Sequence, residues 1–151
     1  MIYYIIAGIF IIDRLFKFLV IMNMDLGQKI SFLPFLNITY LQNTGMAFSL
    51  LSGNNRILLF ISIFFCLILA IAIRKSSERD PAFIAYGLIL GGALSNLWDR
   101  YFYSGVIDYL DFKVWPVFNL GDTAITIGAV LILFQIIKEY FSKAKPSKNV
   151  S

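Results

Sequence analysis

Histidine is absent from the 151 residues, and cysteine occurs once, as Cys66. Disulfide frameworks, Cys/His zinc sites and every Ser-His or Cys-His nucleophile arrangement are thereby excluded. Charge is scarce too: Asp, Glu, Lys and Arg make up 15% of the chain, where a soluble domain has about 25%. Any chemistry must use Asp, Glu, Lys, Arg, Ser, Thr, Tyr or Asn. Apolar residues fill the space left, at 59% of the chain and a mean hydropathy of +0.77, which places the protein in a membrane. In that setting the formal net charge of +4 reads as a topological signal and predicts no nucleic-acid partner.

Apolar runs over residues 2–22 and 57–73 approach the length at which an α-helix crosses about 30 Å of hydrocarbon. A third helix is predicted over 81–98, opening on Asp80-Pro81, a capping residue followed by proline at the first helical position. The fourth is predicted over 122–140. The first run has no basic segment before it and carries Asp13, Arg14 and Lys17 inside it, so it is read as a retained helix and not a cleaved leader. Arg74, Lys75 and Arg79 follow helix two, and Lys138, Lys143, Lys145 and Lys148 lie at the end of helix four or beyond it. With four spans both groups fall on one face, which the positive-inside rule makes cytoplasmic. Both termini then lie inside, and segments 23–56 and 99–121 lie outside. Segment 23–56 contains "FLNITYLQNTGMAFSLL", rich in strand formers around an Asn-Thr-Gly turn signal, and predicts a small sheet at the outer surface. The tripeptide from Asn37 to Thr39 fits an N-glycosylation pattern, which is too short to carry weight. The predicted class is an all-α membrane protein of four transmembrane helices with a small outer β-structure.

The polar residues of this apolar chain are clustered. Asp13 and Lys17 are spaced i, i+4 in helix one, with the acid on the N-terminal side. They are open to two readings. One is a self-neutralising pair, since a lone charge at a helix centre costs roughly 2.5–3.5 kcal/mol; the other is a role beside a site. Asn96, Asp99 and Arg100 form a polar edge at the end of helix three, one turn after the small residues Gly91, Gly92 and Ala93. Asn119 and Asp122 have the spacing of an N-cap and its N3 partner, which alone would explain the acid at that position.

Asp108 is harder to explain structurally. It lies between apolar neighbours in "GVIDYLDF", where Asn or Ser would close a turn at less cost. Asp111, with Lys113 two residues on, is expected in a solvated loop. If Asp108 and Asp122 meet, repulsion and apolar surroundings raise one pKa, and the pair holds a single proton near neutral pH. The ionised member can then activate water while the protonated one polarises an amide carbonyl, the logic of aspartic proteases.

Taken in order, "DRLFK", "QNTGMAFS", "GGALSNLWDR", "GVIDYLDF" and "FNLGD" span residues 13–122 and resemble the lipoprotein signal peptidase (type II signal peptidase) family. The resemblance implies a four-helix aspartic endopeptidase of the bacterial cytoplasmic (inner) membrane with an extracytoplasmic β-cradle. Such an enzyme cleaves the signal peptide from diacylglyceryl-modified prolipoproteins just before the lipidated cysteine. Carried over by position, Asp108 and Asp122 are the catalytic pair. Asp13, Lys17, Asn43, Gly45, Asn96, Arg100 and Asn119 are the supporting or substrate-binding residues. No metal or cofactor is implied; the expected partners are the prolipoprotein substrates and membrane lipids, a monomer is expected, and globomycin should inhibit it. Met46, Ser95 and Gly121 stand where the family usually has Ala, Gly and Ala. Met46 is expected to narrow the pocket and Gly121 to add backbone freedom beside the acid.

Trp98, Tyr101, Phe102, Tyr103, Phe112 and Trp115 supply an interfacial aromatic belt that could also cover the site. Two rival readings make different use of the same residues. One is a Ser-Lys protease with Lys17 as base for Ser49 or Ser95. The other is a small proton-coupled carrier with Asp13, Lys17, Asp99 and Arg100 inside the bundle.

Overall fold

The structure is a computed structural model that describes residues 1–45, 54–77 and 80–143. In chain order its elements are α1 (Ile2–Asn23), β1 (Lys29–Leu33), β2 (Leu36–Asn43), α2 (Asn55–Lys75), α3 (Phe83–Tyr103), β3 (Val106–Asp111) and α4 (Leu120–Lys143). The protein is thus mostly helical, with one small antiparallel sheet in the order β1-β2-β3.

Helix α3 is the hub, packed against α1, α2 and α4. Its residue sizes explain this. Of its buried positions Ala85, Gly87, Gly91, Gly92, Ala93 and Ser95 are small, so neighbouring backbones approach closely, as they must where apolar surroundings give helices no hydrophobic reason to associate. Gly91 and Gly92 serve different partners because successive helical residues point about 100° apart. A Cβ on Gly91 would lie 2.9 Å from the Ile6 carbonyl oxygen of α1, and one on Gly92 would lie 2.3 Å from the Gly121 carbonyl oxygen of α4. Gly92→Ala is therefore expected to force α3 and α4 apart and cost roughly 3 kcal/mol. Thermal unfolding in detergent reads this directly, and an unchanged midpoint would mean the two backbones are not in contact there.

The surface inverts the soluble pattern. Phe60, Phe64, Leu67, Val130, Phe134 and Ile136 are exposed, whereas Asp13, Lys17, Ser95 and Asp99 are fully buried. Among the described residues α2 and α4 are long and apolar enough to cross a membrane. Helix α1 holds three charges in its run, and the C-terminal turns of α3 hold Asn96, Asp99 and Arg100. Cys66 belongs to the small apolar core with Ile2, Leu69, Phe83 and Ile89.

Two elements differ from the sequence expectation. Helix α3 begins at Phe83, after a turn in which Asp80 accepts hydrogen bonds from the Ala82 N–H (2.8 Å) and the Ser76 hydroxyl (2.6 Å). It continues to Tyr103, well past residue 98, so Asp99 and Arg100 are helical. Ser104, at a φ of 61°, then reverses the chain into β3. That strand is the second difference, since the sequence predicts the sheet from segment 23–56 alone. Residues 106–111 are buried almost throughout, so they carry no alternation of polar and apolar residues to mark a strand.

Asp111, expected in a solvated loop, is the buried last residue of β3. It accepts from the Lys113 N–H at 2.8 Å, pairs with Lys29, and lies within hydrogen-bond reach of Asn37 (3.3 Å) and Thr39 (3.4 Å). The Lys29 ammonium and the Lys113 N–H hold its pKa down at about 2, so it is an ionised clasp across the sheet. Met46, Ser49, Arg79, Lys145 and Lys148 lie outside the described residues.

Candidate active site

The site forms where the sheet meets the ends of α1 and α3 and the start of α4. Asp108 projects from β3, opposite Leu41 of β2 and just past a register shift in that ladder. On the other side of β3, Phe118 bridges to Leu110, with backbone bonds of 2.8 Å (Leu110 N–H to Phe118 O) and 3.1 Å (Phe118 N–H to Leu110 O). The bridge delivers Asn119, the next residue, to Asp108.

Asn119 is fully buried and joins the two acids. Its amide group donates to Asp108 Oδ1 at 2.7 Å, and its Oδ1 accepts from the Asp122 N–H at 2.8 Å. The second bond is an N-cap to N3 bond, so the capping geometry expected from the spacing is present. It also positions Asp122 in the first turn of α4. Asn43, the last residue of β2, donates to Asp108 Oδ2 at 3.0 Å, and its Oδ1 accepts from the Gly45 N–H, also at 3.0 Å. Asn96 of α3 donates to Asp122 Oδ1 at 2.7 Å. Arg100, one turn further along α3, donates to the Gly45 carbonyl at 2.9 Å and receives the Asn55 amide on its own carbonyl at 2.9 Å.

Asp108, Asp122, Asn43, Gly45, Asn96 and Arg100 line a single cavity of about 730 Å³, with Phe118, Ile125 and Trp115 as apolar wall and rim. Asp108 is 2% exposed. Burial pushes its pKa up to about 7, the nearby Asp122 charge adds to the shift, and the bonds from Asn43 and Asn119 oppose it. A carboxyl group that titrates near neutrality beside a second carboxylate can hold or release a proton under working conditions.

Asp13 and Lys17 do not reach the cavity. They lie behind it, both 0% exposed, 2.7 Å apart as an i, i+4 pair. Lys17 also pairs with Asp99 at 2.7 Å and donates to Asn96 Oδ1 at 2.8 Å, so it touches the group that holds Asp122. Arg14 pairs with Asp99 and lies 5.9 Å from the centres of both the Trp98 and Tyr103 rings. Asp99 accepts the Ile107 N–H at 3.1 Å, tying α3 to β3.

Neither Arg14 nor Asp99 is among the catalytic or supporting residues expected from the sequence. A third charge in an apolar run, with no partner at i+4, is the available signal for Arg14. Asp99 reads in sequence as part of a polar helix exit. Ser95 is fully buried and donates to Asp13 Oδ2 at 2.6 Å. The Ser95 hydroxyl is thus spent on Asp13 and the Lys17 ammonium on three acceptors, which is not the arrangement of a serine nucleophile and its lysine base.

Gly121 departs from its expected role. It is a buried helical residue, and a Cβ there would lie 3.0–3.1 Å from Asn119 Oδ1, Asp13 Oδ2 and the Gly92 carbonyl. Close packing, not backbone freedom, is what its small size provides. The aromatic belt divides: Trp115 lines the acid cavity, whereas Trp98, Tyr101 and Phe102 line a separate apolar groove between α1, α2 and α3.

Comparison with known proteins shows the family. Residues 5–138 match the family model described as "Signal peptidase (SPase) II". The lipoprotein signal peptidase of Halothermothrix orenii is 36% identical over 137 residues, covering 90% of this chain and 94% of that one. That of Shewanella amazonensis is 39% identical over 156 residues, covering 97% and 93%. A bacterial membrane enzyme solved by the in meso method at 2.3 Å resolution superposes with a TM-score of 0.88 at 30% identity, over 99% of this chain and 94% of that one. A second, at 1.9 Å, superposes with a TM-score of 0.81 at 30% identity, over 91% of this chain and 92% of that one. By these matches the chain belongs to the signal peptidase II family, the peptidases that remove the signal peptide from prolipoproteins.

Proposed function

We infer that Asp108 and Asp122 are the catalytic pair of this peptidase, and that one observation carries the assignment: both acids face one cavity from opposite sides of the same Asn119. The substrate is a prolipoprotein bearing a diacylglyceryl cysteine, and the scissile amide is the one before that residue. At neutral pH the pair holds one proton. The ionised carboxylate takes a proton from water as the water oxygen attacks the amide carbon, and the protonated carboxyl donates to the carbonyl oxygen. Collapse of the tetrahedral species passes a proton to the leaving nitrogen and restores the shared proton. Asn43, Asn96 and Asn119 fix the carboxylates, so little reorganisation accompanies the reaction. Arg100 Nη1, buried without a partner among the described residues, is available to a substrate oxygen, with Gly45 beside it.

The membrane arrangement belongs to the same proposal. Helices α1 and α3 also span, giving four crossings, because the charges of α1 are neutralised inside the bundle and not exposed to lipid. Arg74, Lys75, Lys138 and Lys143 gather at the ends of α2 and α4 away from the sheet. That end is cytoplasmic, both termini are inside, and the cavity opens at the outer face of the bacterial inner membrane. The enzyme works as a monomer among lipids, and the diacylglyceryl group confines its substrate to two dimensions at the depth of the acids.

The pH dependence of kcat/KM on a diacylglyceryl-modified prolipoprotein tests the shared proton. Because the Asp108 pKa is raised to about 7, the proton is present below that pH and lost above it. An alkaline limb with a midpoint near 7 is expected, accompanied by a product that begins at the lipidated cysteine by mass. A profile flat to pH 9 would remove the shared-proton mechanism.

A further inference from the structure

Tyr109 follows Asp108 on β3, and strand alternation turns its side chain to the opposite face. There the ring stacks on Phe16 of α1, with centroids 6.0 Å apart and planes at 11°. The side chain is 1% exposed, yet its hydroxyl is bonded on both sides. It donates to Asp13 Oδ1 at 3.1 Å and accepts the Leu120 N–H at 3.2 Å. Leu120 is the first residue of α4, whose opening N–H groups have no partners within the helix. The first turn of α4 is therefore tied down at two points by adjacent residues of one strand. Asp108 holds Asn119, which caps the Asp122 N–H, and Tyr109 holds the Leu120 N–H.

We propose that Tyr109 is a positioning residue for the hydrolysis: its hydroxyl, anchored on the buried Asp13 carboxylate, fixes the start of α4 and thereby the placement of Asp122 against Asp108. The anchor is itself rigid. Asp13 Oδ2 is held by Ser95 at 2.6 Å and by Lys17 at 2.7 Å, and Lys17 continues through Asn96 to Asp122 Oδ1. Asp13 thus reaches Asp122 by two routes, one through the side chain of Asn96 and one through the backbone of α4. Loss of the hydroxyl opens the second route and leaves a buried N–H and a carboxylate lone pair without partners. The ring itself still fits, so the sheet stays packed. This role rests on the reading of Asp108 and Asp122 as the catalytic pair.

Two variants break the bond from opposite ends. Tyr109→Phe removes the acceptor. Leu120→Pro removes the donor at the first helical position, where proline is accepted, and Leu120→Ala controls for the lost side chain while keeping the N–H. Rates are measured in detergent on the lipid-modified prolipoprotein, each set against the thermal midpoint of the same preparation, with Asp108→Asn run alongside. Tyr109→Phe and Leu120→Pro are expected to lower kcat roughly ten- to hundredfold, as displacement of a catalytic group by a fraction of an ångström does, with KM little changed. Leu120→Ala should stay within about threefold of the parent, since the bond it keeps is the one that matters. A folded Tyr109→Phe with parental kcat overturns the proposal, as does Leu120→Ala falling as far as Leu120→Pro. Should Tyr109→Phe not fold, the proline and alanine pair decides alone. Turnover surviving in Asp108→Asn would instead remove the catalytic-pair reading beneath it.

Discussion

Asp108→Asn and Asp122→Asn are each expected to lower turnover of a lipid-modified prolipoprotein by at least about a thousandfold, and the double variant is expected to be no slower than the worse single one, because a dyad acts as a unit and removing one member costs nearly as much as removing both. The asparagines of the site cannot substitute. Asn43, Asn96 and Asn119 present their amide N–H groups to the carboxylates, and none can take a proton from water. Stability should move differently from activity. Asp108 has its pKa raised by burial and by the charge of Asp122, so as pH rises from about 4 through about 7 its ionisation costs the folded state more and more. Asp108→Asn removes that cost but turns an N–H toward one of the two amide donors of Asn43 and Asn119, so its midpoint should fall less below that of the parent at pH 8 than at pH 5. A large drop in midpoint together with lost turnover would point to misfolding; full turnover in a stable variant would discard the dyad.

Legibility in the sequence follows the range of the interaction. Asp13-Lys17 and Asn119-Asp122 are readable because one helical turn sets both the spacing and the partner, and both contacts are present. The charge-poor, apolar composition tells that polar residues are buried together, since hydrocarbon leaves them no other partner. Contacts between elements are not readable. Tyr109 has no neighbour in sequence that marks its hydroxyl, because Asp13 is 96 residues away. Strand β3 gives no face signal, since the cavity on one side and the helices on the other bury both sets of side chains. Asp99 reads as a helix exit because aromatic and charged residues end the apolar run, whereas helix geometry carries on to Tyr103 and turns Asp99 inward. Lys113 is what makes Asp111 look solvated. The carboxylate does engage that residue's backbone N–H, but its neighbours on β1 and β2, which sequence distance conceals, bury it.

The largest expected effect on stability belongs to Lys17→Met. The ammonium is fully buried and its donors meet Asp13 at 2.7 Å, Asp99 at 2.7 Å and Asn96 at 2.8 Å. With Arg14 on Asp99, two cations and two carboxylates balance; the substitution leaves a net negative charge where neither water nor lipid can solvate it. Breaking a buried pair in this way costs roughly 3–5 kcal/mol, so a fall of about 10 °C in the thermal midpoint is expected for a chain of this size. Adding Asp13→Asn should recover part of the loss, because the charges balance again and the carbonyl of the introduced amide can still accept from Ser95 or Tyr109. Activity should not recover with it. Asn96 will have lost the cation that orients its amide toward Asp122, so the double variant should be folded and slow. If activity returns together with stability, Lys17 holds only the bundle together. If it does not, the buried ion network serves the cavity in front of it, through the Asn96 amide and through the Asp13 anchor of Tyr109, and charges that weaken an apolar helix are retained to hold the acid in place.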